Sequence, residues 1–205
     1  MYVEDHFVWG PKGSGKSQLG LHLMRHHPGG VLWWDPNDDQ AVPPWAVEAW
    51  PDSSGQALRR ALRARQKIVL HAGPGEPKVL RRQVALLCRI CAECRASLRL
   101  DECHLVLPQG SPEPAVLDFL RRSRHLGGDV GAMSTNPHHV DKSLMYVGGT
   151  LYAFESPGIE PWLRHYGHDP AAVLSRLAFG GEHAFVRLRG AAVDGPFRLR
   201  PDQLS

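Results

Sequence analysis

The octapeptide Gly10-Pro11-Lys12-Gly13-Ser14-Gly15-Lys16-Ser17 constrains this chain more than any other feature, because it fits G-x-x-x-x-G-K-[ST] at every fixed position. The motif, Walker A, has physical meaning only between a strand and a helix. Here the apolar run His6-Phe7-Val8-Trp9 precedes it, and a helical pattern from Gln18 to His27 follows. Gly10, Gly13 and Gly15, with Ser14 among them, let backbone N–H groups turn inward around phosphates without Cβ clashes. The helix N-terminus adds the positive end of its dipole. Lys16 supplies charge for the β- and γ-phosphate oxygens, and Ser17 a hydroxyl for Mg²⁺. The expectation is a nucleotide site with ATP and Mg²⁺ as its ligands.

Strand and helix patterns alternate along the rest of the chain. This predicts an α/β fold of the P-loop NTPase kind, with a mostly parallel central sheet, helices on both faces and a C-terminal antiparallel edge. Strands are expected at 7–9, 31–34, 67–71, 98–100, 130–134 and 151–154. Helices are expected at 17–27, 55–65, 78–96, 114–124, 138–146 and 159–166, and a terminal hairpin from 183–188 and 196–199. Residues 1–205 read as one domain, large enough for a proper core.

With 42% hydrophobic and 22% charged residues the composition is that of a globular protein. No apolar run nears the roughly 20 residues that cross a bilayer. No basic and apolar leader precedes the first strand, so the expected setting is cytoplasmic, or a host cytoplasm or virion if the chain is viral. The net charge of +3 rests almost wholly on arginine, since lysine occurs only at positions 12, 16, 67, 78 and 142. That balance permits a polyanionic partner without requiring one.

ATP hydrolysis needs an acidic strand end beside the phosphates. One carboxylate holds the metal shell, and a second orients and deprotonates the attacking water. Ser97-Leu98-Arg99-Leu100-Asp101-Glu102 is the candidate Walker B element, with Asp101 expected on Mg²⁺ and Glu102 on the water. Arg99 interrupts its apolar run. Further on, Val130 to Pro137 reads as a strand ending in Ser134-Thr135-Asn136. Strand C-termini converge on the ligand crevice of such sheets, so Asn136 is expected to sense the γ-phosphate or the lytic water; an N-cap to the following helix is its other reading.

Cys88, Cys91 and Cys94 form C-x-x-C-x-x-C ahead of Cys103-His104. Inside a helix, steps of three drift by about 60° around the axis, giving a broad stripe rather than a cage. Apolar packing is the expected role, and metal binding stays open. Trp33, Trp34, Trp45 and Trp50 flank a Pro-rich loop and are expected mostly in the core.

Several of these elements, taken in order, resemble the FtsK/HerA-like ATPases, which include the small genome-packaging ATPases of tailless double-stranded-DNA viruses and Zot-like phage proteins. The shared features are the P-loop, a strand ending in Asp35, the Asp101-Glu102 pair and a helix ending Arg121-Arg122-Ser123-Arg124-His125. A strand ending Ser134-Thr135-Asn136-Pro137 and a late Leu151-Tyr152-Ala153-Phe154 segment complete the order. The chain departs from the family in its short Walker B strand and in Asn136, where Gln is common.

The resemblance implies an ATP-hydrolysing translocase that moves double-stranded DNA, most plausibly for viral genome packaging. It also implies a homo-oligomeric ring, hexamer or pentamer, docking on a capsid vertex or portal protein. A neighbour's arginine would reach the γ-phosphate; Arg124 matches the family position, with Arg122 and Arg121 behind it. DNA contact would go mainly to phosphates, without sequence preference, and loops 108–114 and 138–142 are candidates. Two alternatives share the P-loop. A small-molecule or nucleotide kinase needs a lid and an acceptor site but no Asp-Glu pair, and a nucleotide-gated phage assembly factor needs no hydrolysis.

Overall fold

Consecutive apolar residues in Val31-Leu32-Trp33-Trp34 and Ile68-Val69-Leu70 suit strands covered on both faces, the condition of a parallel sheet. The computed structural model, which describes residues 4–199 apart from Pro74 and Arg124, contains that sheet. Among the described residues it has nine strands: β1 (His6–Trp9), β2 (Val31–Asp35), β3 (Val47–Ala49), β4 (Lys67–His71), β5 (Ser97–Leu100), β6 (Val130–Ser134), β7 (Thr150–Phe154), β8 (Phe185–Arg189) and β9 (Ala192–Phe197). They lie in the order β3-β4-β2-β5-β6-β1-β7-β8-β9. The first seven places are parallel, and β8 and β9 close the edge antiparallel. The fold is the mixed, mostly parallel α/β sheet with an antiparallel C-terminal edge that the sequence predicts.

The helices are α1 (Lys16–Arg25), α2 (Gly55–Arg63), α3 (Pro77–Cys94), α4 (Pro114–Arg122), α5 (Glu160–His165) and α6 (Pro170–Gly180). They divide unequally. Phe7, Trp9, Leu32, Trp34, Leu98 and Leu100 face a core built with α2 to α6. The alternate residues Val8, Trp33, Val69 and Met133 face the other way, under α1 and residues 42–46. Each fully buried apolar side chain of this size contributes about 1.5–3 kcal/mol relative to exposure. Cys88 and Cys91 belong to the larger core, and burial raises the Cys88 thiol pKa to about 12.

One stretch differs in kind from its sequence pattern. Residues 138–146 form two 3₁₀ turns, Pro137–His139 and Lys142–Val147, instead of a helix. Between them Val140 is extended and bridges Pro108, which takes its backbone out of any helical ladder. Two elements appear where no pattern suggests them. β3 is a three-residue strand inside the Pro-rich loop, and α6 begins at Asp169, whose carboxylate caps Ala171 N–H at 3.1 Å.

Candidate nucleotide site

Backbone geometry at the P-loop follows from its glycines. Gly15 sits at φ 94° as the residue before α1, a left-handed conformation that a side chain would strain. Gly10 is there for space: a Cβ would lie 2.5 Å from Ser14 Oγ and 2.9 Å from Phe154 Cβ. Gly10 N–H donates to the Ser134 carbonyl at 3.2 Å, fastening the loop to the neighbouring strand. No side chain caps α1, so its first N–H groups are free of side-chain acceptors and its dipole ends in the loop. Lys12 is exposed, whereas Lys16 is buried and Ser17 partly so.

The acidic pair lies across the sheet. β6 stands between β1 and β5, so the ends of three adjacent strands carry, in turn, the P-loop, Ser134-Thr135-Asn136 and Asp101-Glu102. Lys16 Nζ reaches Glu102 Oε1 at 3.6 Å. The other carboxylate oxygen, Oε2, accepts from Thr135 N–H at 3.0 Å and Thr135 Oγ1 at 2.9 Å, with His104 Nδ1 at 3.3 Å. His104 Nδ1 also lies 3.1 Å from Ser134 Oγ, which in turn accepts from Asn136 N–H at 3.0 Å. Glu102 has left-handed backbone (φ 42°, ψ 49°), a strain of about 1–3 kcal/mol that a non-glycine residue keeps only where its surroundings hold it.

The two carboxylates differ sharply in charge environment. Burial, and then the charge of Glu102, pushes the Asp101 pKa up to about 7; its Oδ1 accepts Glu102 N–H at 2.9 Å. Burial also pushes Glu102 upward, but hydrogen bonds from His104 and Thr135 and the charge of Lys16 outweigh it and hold the pKa near about 2. Asp101 is thus a buried carboxylate short of positive charge, and an oxygen-preferring divalent cation fits that deficit. Among the described residues no group of three or more His, Cys, Asp or Glu side chains could hold a metal on its own. That suits an ion which takes most of its ligands from phosphates and water.

The remaining predicted residues are less tightly drawn in. Asn136 is half-buried at the end of β6, and its side chain does not cap the turn that follows. Arg124 lies outside the described residues. Arg121 is exposed, and Arg122 pairs with Asp118 on its own helix at 3.2 Å. Asp35, at the end of β2, accepts Asn37 N–H at 3.1 Å and Gln40 N–H at 2.9 Å, anchoring the Pro-rich loop beside His71. Trp33 and Trp34 are core residues, while Trp50 is half exposed and packs on His71. Thr135 and His104, the partners of Glu102, carry no motif signal; only their nearness to two strand ends points to them.

Arg99 has its own explanation. It points to the α1 face and grips Asp129 with both guanidinium arms, at 2.9 and 3.1 Å. Gly131 on β6 makes room for it, since a Cβ there would lie 2.3 Å from Arg99 Cδ. His27 and Ser97 complete the cluster, with His27 Nε2 3.1 Å from Ser97 Oγ and 3.5 Å from Asp129 Oδ1.

Walker-type loop, acidic strand end and one intervening strand together define the class: the fold is that of the P-loop NTPases. Among solved structures, the genome packaging NTPase B204 from Sulfolobus turreted icosahedral virus 2 in complex with ATP-gammaS superposes with TM-score 0.73 and 14% identity, over 98% of this chain and 100% of that one. B204, the DNA-packaging ATPase from Sulfolobus Turreted Icosahedral Virus, gives 0.69 and 14%, over 98% and 100%. The N-terminal domain of zonular occludens toxin from Neisseria meningitidis gives 0.57 and 14%, over 99% and 97%. These are likenesses of fold. No protein-family model matches the chain, and no curated protein does. Among the described residues no helix is long and apolar enough to cross a membrane.

Proposed function

We propose that this chain hydrolyses ATP and couples hydrolysis to the movement of double-stranded DNA, in the manner of a viral genome-packaging ATPase. The observation that carries the hydrolytic part is the Lys16–Glu102 contact at 3.6 Å across β6, which joins a phosphate-binding lysine to a strand-end carboxylate. A kinase needs no such carboxylate, and a non-hydrolysing assembly factor has no use for it.

In this reading Lys16 and the loop N–H groups of Gly13, Ser14 and Gly15 bind the β- and γ-phosphates. Ser17 and Asp101 would hold Mg²⁺, which would offset charge on the phosphate oxygens. A triphosphate competes with Glu102 for Lys16. A carboxylate with a pKa near 2 is a weak base, because proton-transfer efficiency peaks when the pKa approaches the working pH. Turning Glu102 from Thr135 and His104 toward the attacking water removes the hydrogen bonds that hold its pKa down. Glu102 then takes the water proton as the oxygen attacks Pγ, and the bond from Pγ to the β-bridging oxygen breaks to leave ADP and phosphate. Asn136 is assigned to the γ-phosphate or the lytic water.

The DNA part rests on less. Loops 108–114 and 138–142 are paired: Gln109 N–H donates to His139 O at 2.9 Å and Gly110 N–H to Asp141 Oδ2 at 2.9 Å. His138, His139 and Lys142 are exposed on this pair, a basic edge suited to phosphates. We assign it to DNA, Arg124 to the γ-phosphate of the next subunit in a homo-oligomeric ring, and a capsid vertex or portal as the docking partner. ATP turnover with and without long double-stranded DNA, alongside Glu102→Gln, tests the whole reading. DNA-stimulated phosphate release that Glu102→Gln abolishes is the expected result; turnover indifferent to DNA would sink the motor and favour the kinase.

A further inference from the structure

A bound triphosphate must send its base out along the first turn of α1, past Gln18. On the β6 side lie the polar groups around Glu102. On the β7 side the surroundings are aromatic. Phe154, at the end of β7, presses on the P-loop, since a Cβ on Gly10 would lie 2.9 Å from its Cβ and one on Gly15 4.0 Å from its ring. Beside that ring opens a cavity of about 270 Å³, walled by Gly15, Gln18, Phe154, His183, Phe185 and Leu199. A second hollow of about 400 Å³ shares Gly13, Ser14, Phe154 and His183 and runs toward the end of α6.

Two features make this slot more than a surface dent. Phe154 and Phe185 stand as a tilted pair with centroids 5.3 Å apart, a rigid apolar wall. His183, exposed at the mouth, has φ 61°, a left-handed conformation rare in non-glycine residues and typical of positions fixed for a purpose. The polar complement is sparse. Among the described lining side chains only Ser14, Gln18 and His183 carry polar atoms. The Ser14 hydroxyl turns in against Gly10, and Gln18 and His183 are exposed. An exposed Gln amide offers a donor or an acceptor by flipping, so it matches the amino edge of adenine or the keto edge of guanine.

We propose that this slot is the nucleobase subsite, in which a purine stacks on Phe154 and His183 and adenine and guanine are accepted alike. The proposal rests on the phosphate-site reading above, so its test separates the two. Calorimetric titration of the full chain uses ATP, GTP and inorganic tripolyphosphate as probes. ATP and GTP should bind within about threefold of each other, because no fixed hydrogen bond tells them apart. Phe154→Leu, which keeps apolar bulk but removes the ring, should weaken both by about tenfold and leave tripolyphosphate unchanged.

A Phe154→Leu protein that binds ATP as tightly as the parent overturns the subsite, as does a hundredfold preference for ATP over GTP. If Phe154→Leu also loses tripolyphosphate, the ring is propping the loop, and His183→Ala on its exposed turn decides. A loss confined to the nucleotides upholds the slot, and an unchanged ATP affinity overturns it. Failure of the parent to bind any probe, tripolyphosphate included, overturns the phosphate site itself and the slot with it.

Discussion

Two buried charges on one face of β5, two residues apart, are treated in opposite ways. Arg99 is fully compensated: both guanidinium arms meet Asp129, and His27 and Ser97 close the cluster. Asp101 is not: its nearest hydrogen bond is the next residue's N–H, and its strongest neighbouring charge has its own sign. Burial of charge is the same in both. What separates a structural ion pair from a reactive centre is the missing counter-charge, because only an undercompensated group gains from a cation that arrives with substrate.

The largest effect that could break this contrast is on turnover. Glu102→Gln should lower hydrolysis by about 10²–10⁴-fold, the usual worth of a positioned base, while nucleotide affinity and unfolding midpoint stay near those of the parent. Phosphate release, equilibrium binding and a urea melt check the three together. A large loss of stability would make this end of β5 structural like the other. Asp129→Ala should do the reverse, costing about 3–5 kcal/mol in urea unfolding by stranding a buried guanidinium. Replacing Arg99 and Asp129 together by apolar residues of similar volume should recover most of that loss.

Acid and base sharpen the contrast further. Folded Asp101 holds its proton up to about pH 7 where the unfolded chain releases it near 3.8, so this group makes stability fall as pH rises across that window. His6, beside Asp129, acts with opposite sign: burial and the Arg99 charge lower its pKa from 6.5 to about 4, so stability rises with pH between those values. Asp101→Asn should therefore raise stability at pH 8 by on the order of 3 kcal/mol and expose the His6 slope below pH 6.5. A melt series from pH 4 to pH 8 that keeps its slope in the variant would refute the assignment. The smallest effect belongs to the exposed Arg187–Asp194 pair on β8 and β9: Asp194→Asn should change stability by less than about 1 kcal/mol.

Much of this was legible before any coordinates. The P-loop, its strand and its helix lie where G-x-x-x-x-G-K-[ST] requires, and β4 and β6 span the residues their apolar runs mark. Long, one-patterned elements read well because burial on a regular period determines them locally. Short ones did not. The 3₁₀ turns near Val140 and the strand β3 depend on pairing with distant segments, Pro108 and β4, which no local pattern encodes. Arg99 looked like a flaw in its strand because its partner Asp129 and the space above Gly131 come from another strand. The same holds for Thr135 and His104 around Glu102. Asp169-Pro170, by contrast, was a start signal in plain view for α6.

The loops leaving β5 and β6 touch twice. Near their roots Thr135 holds Glu102, and near their tips Gln109 holds His139. A frame joined at both ends has no independent halves. A rotation of Glu102 that breaks its hold on Thr135 converts a closed four-sided linkage into one hinged at the tip alone. The exposed His138, His139 and Lys142 then ride on a longer, looser arm, and the stiffness of that basic edge becomes a readout of which way one carboxylate is turned.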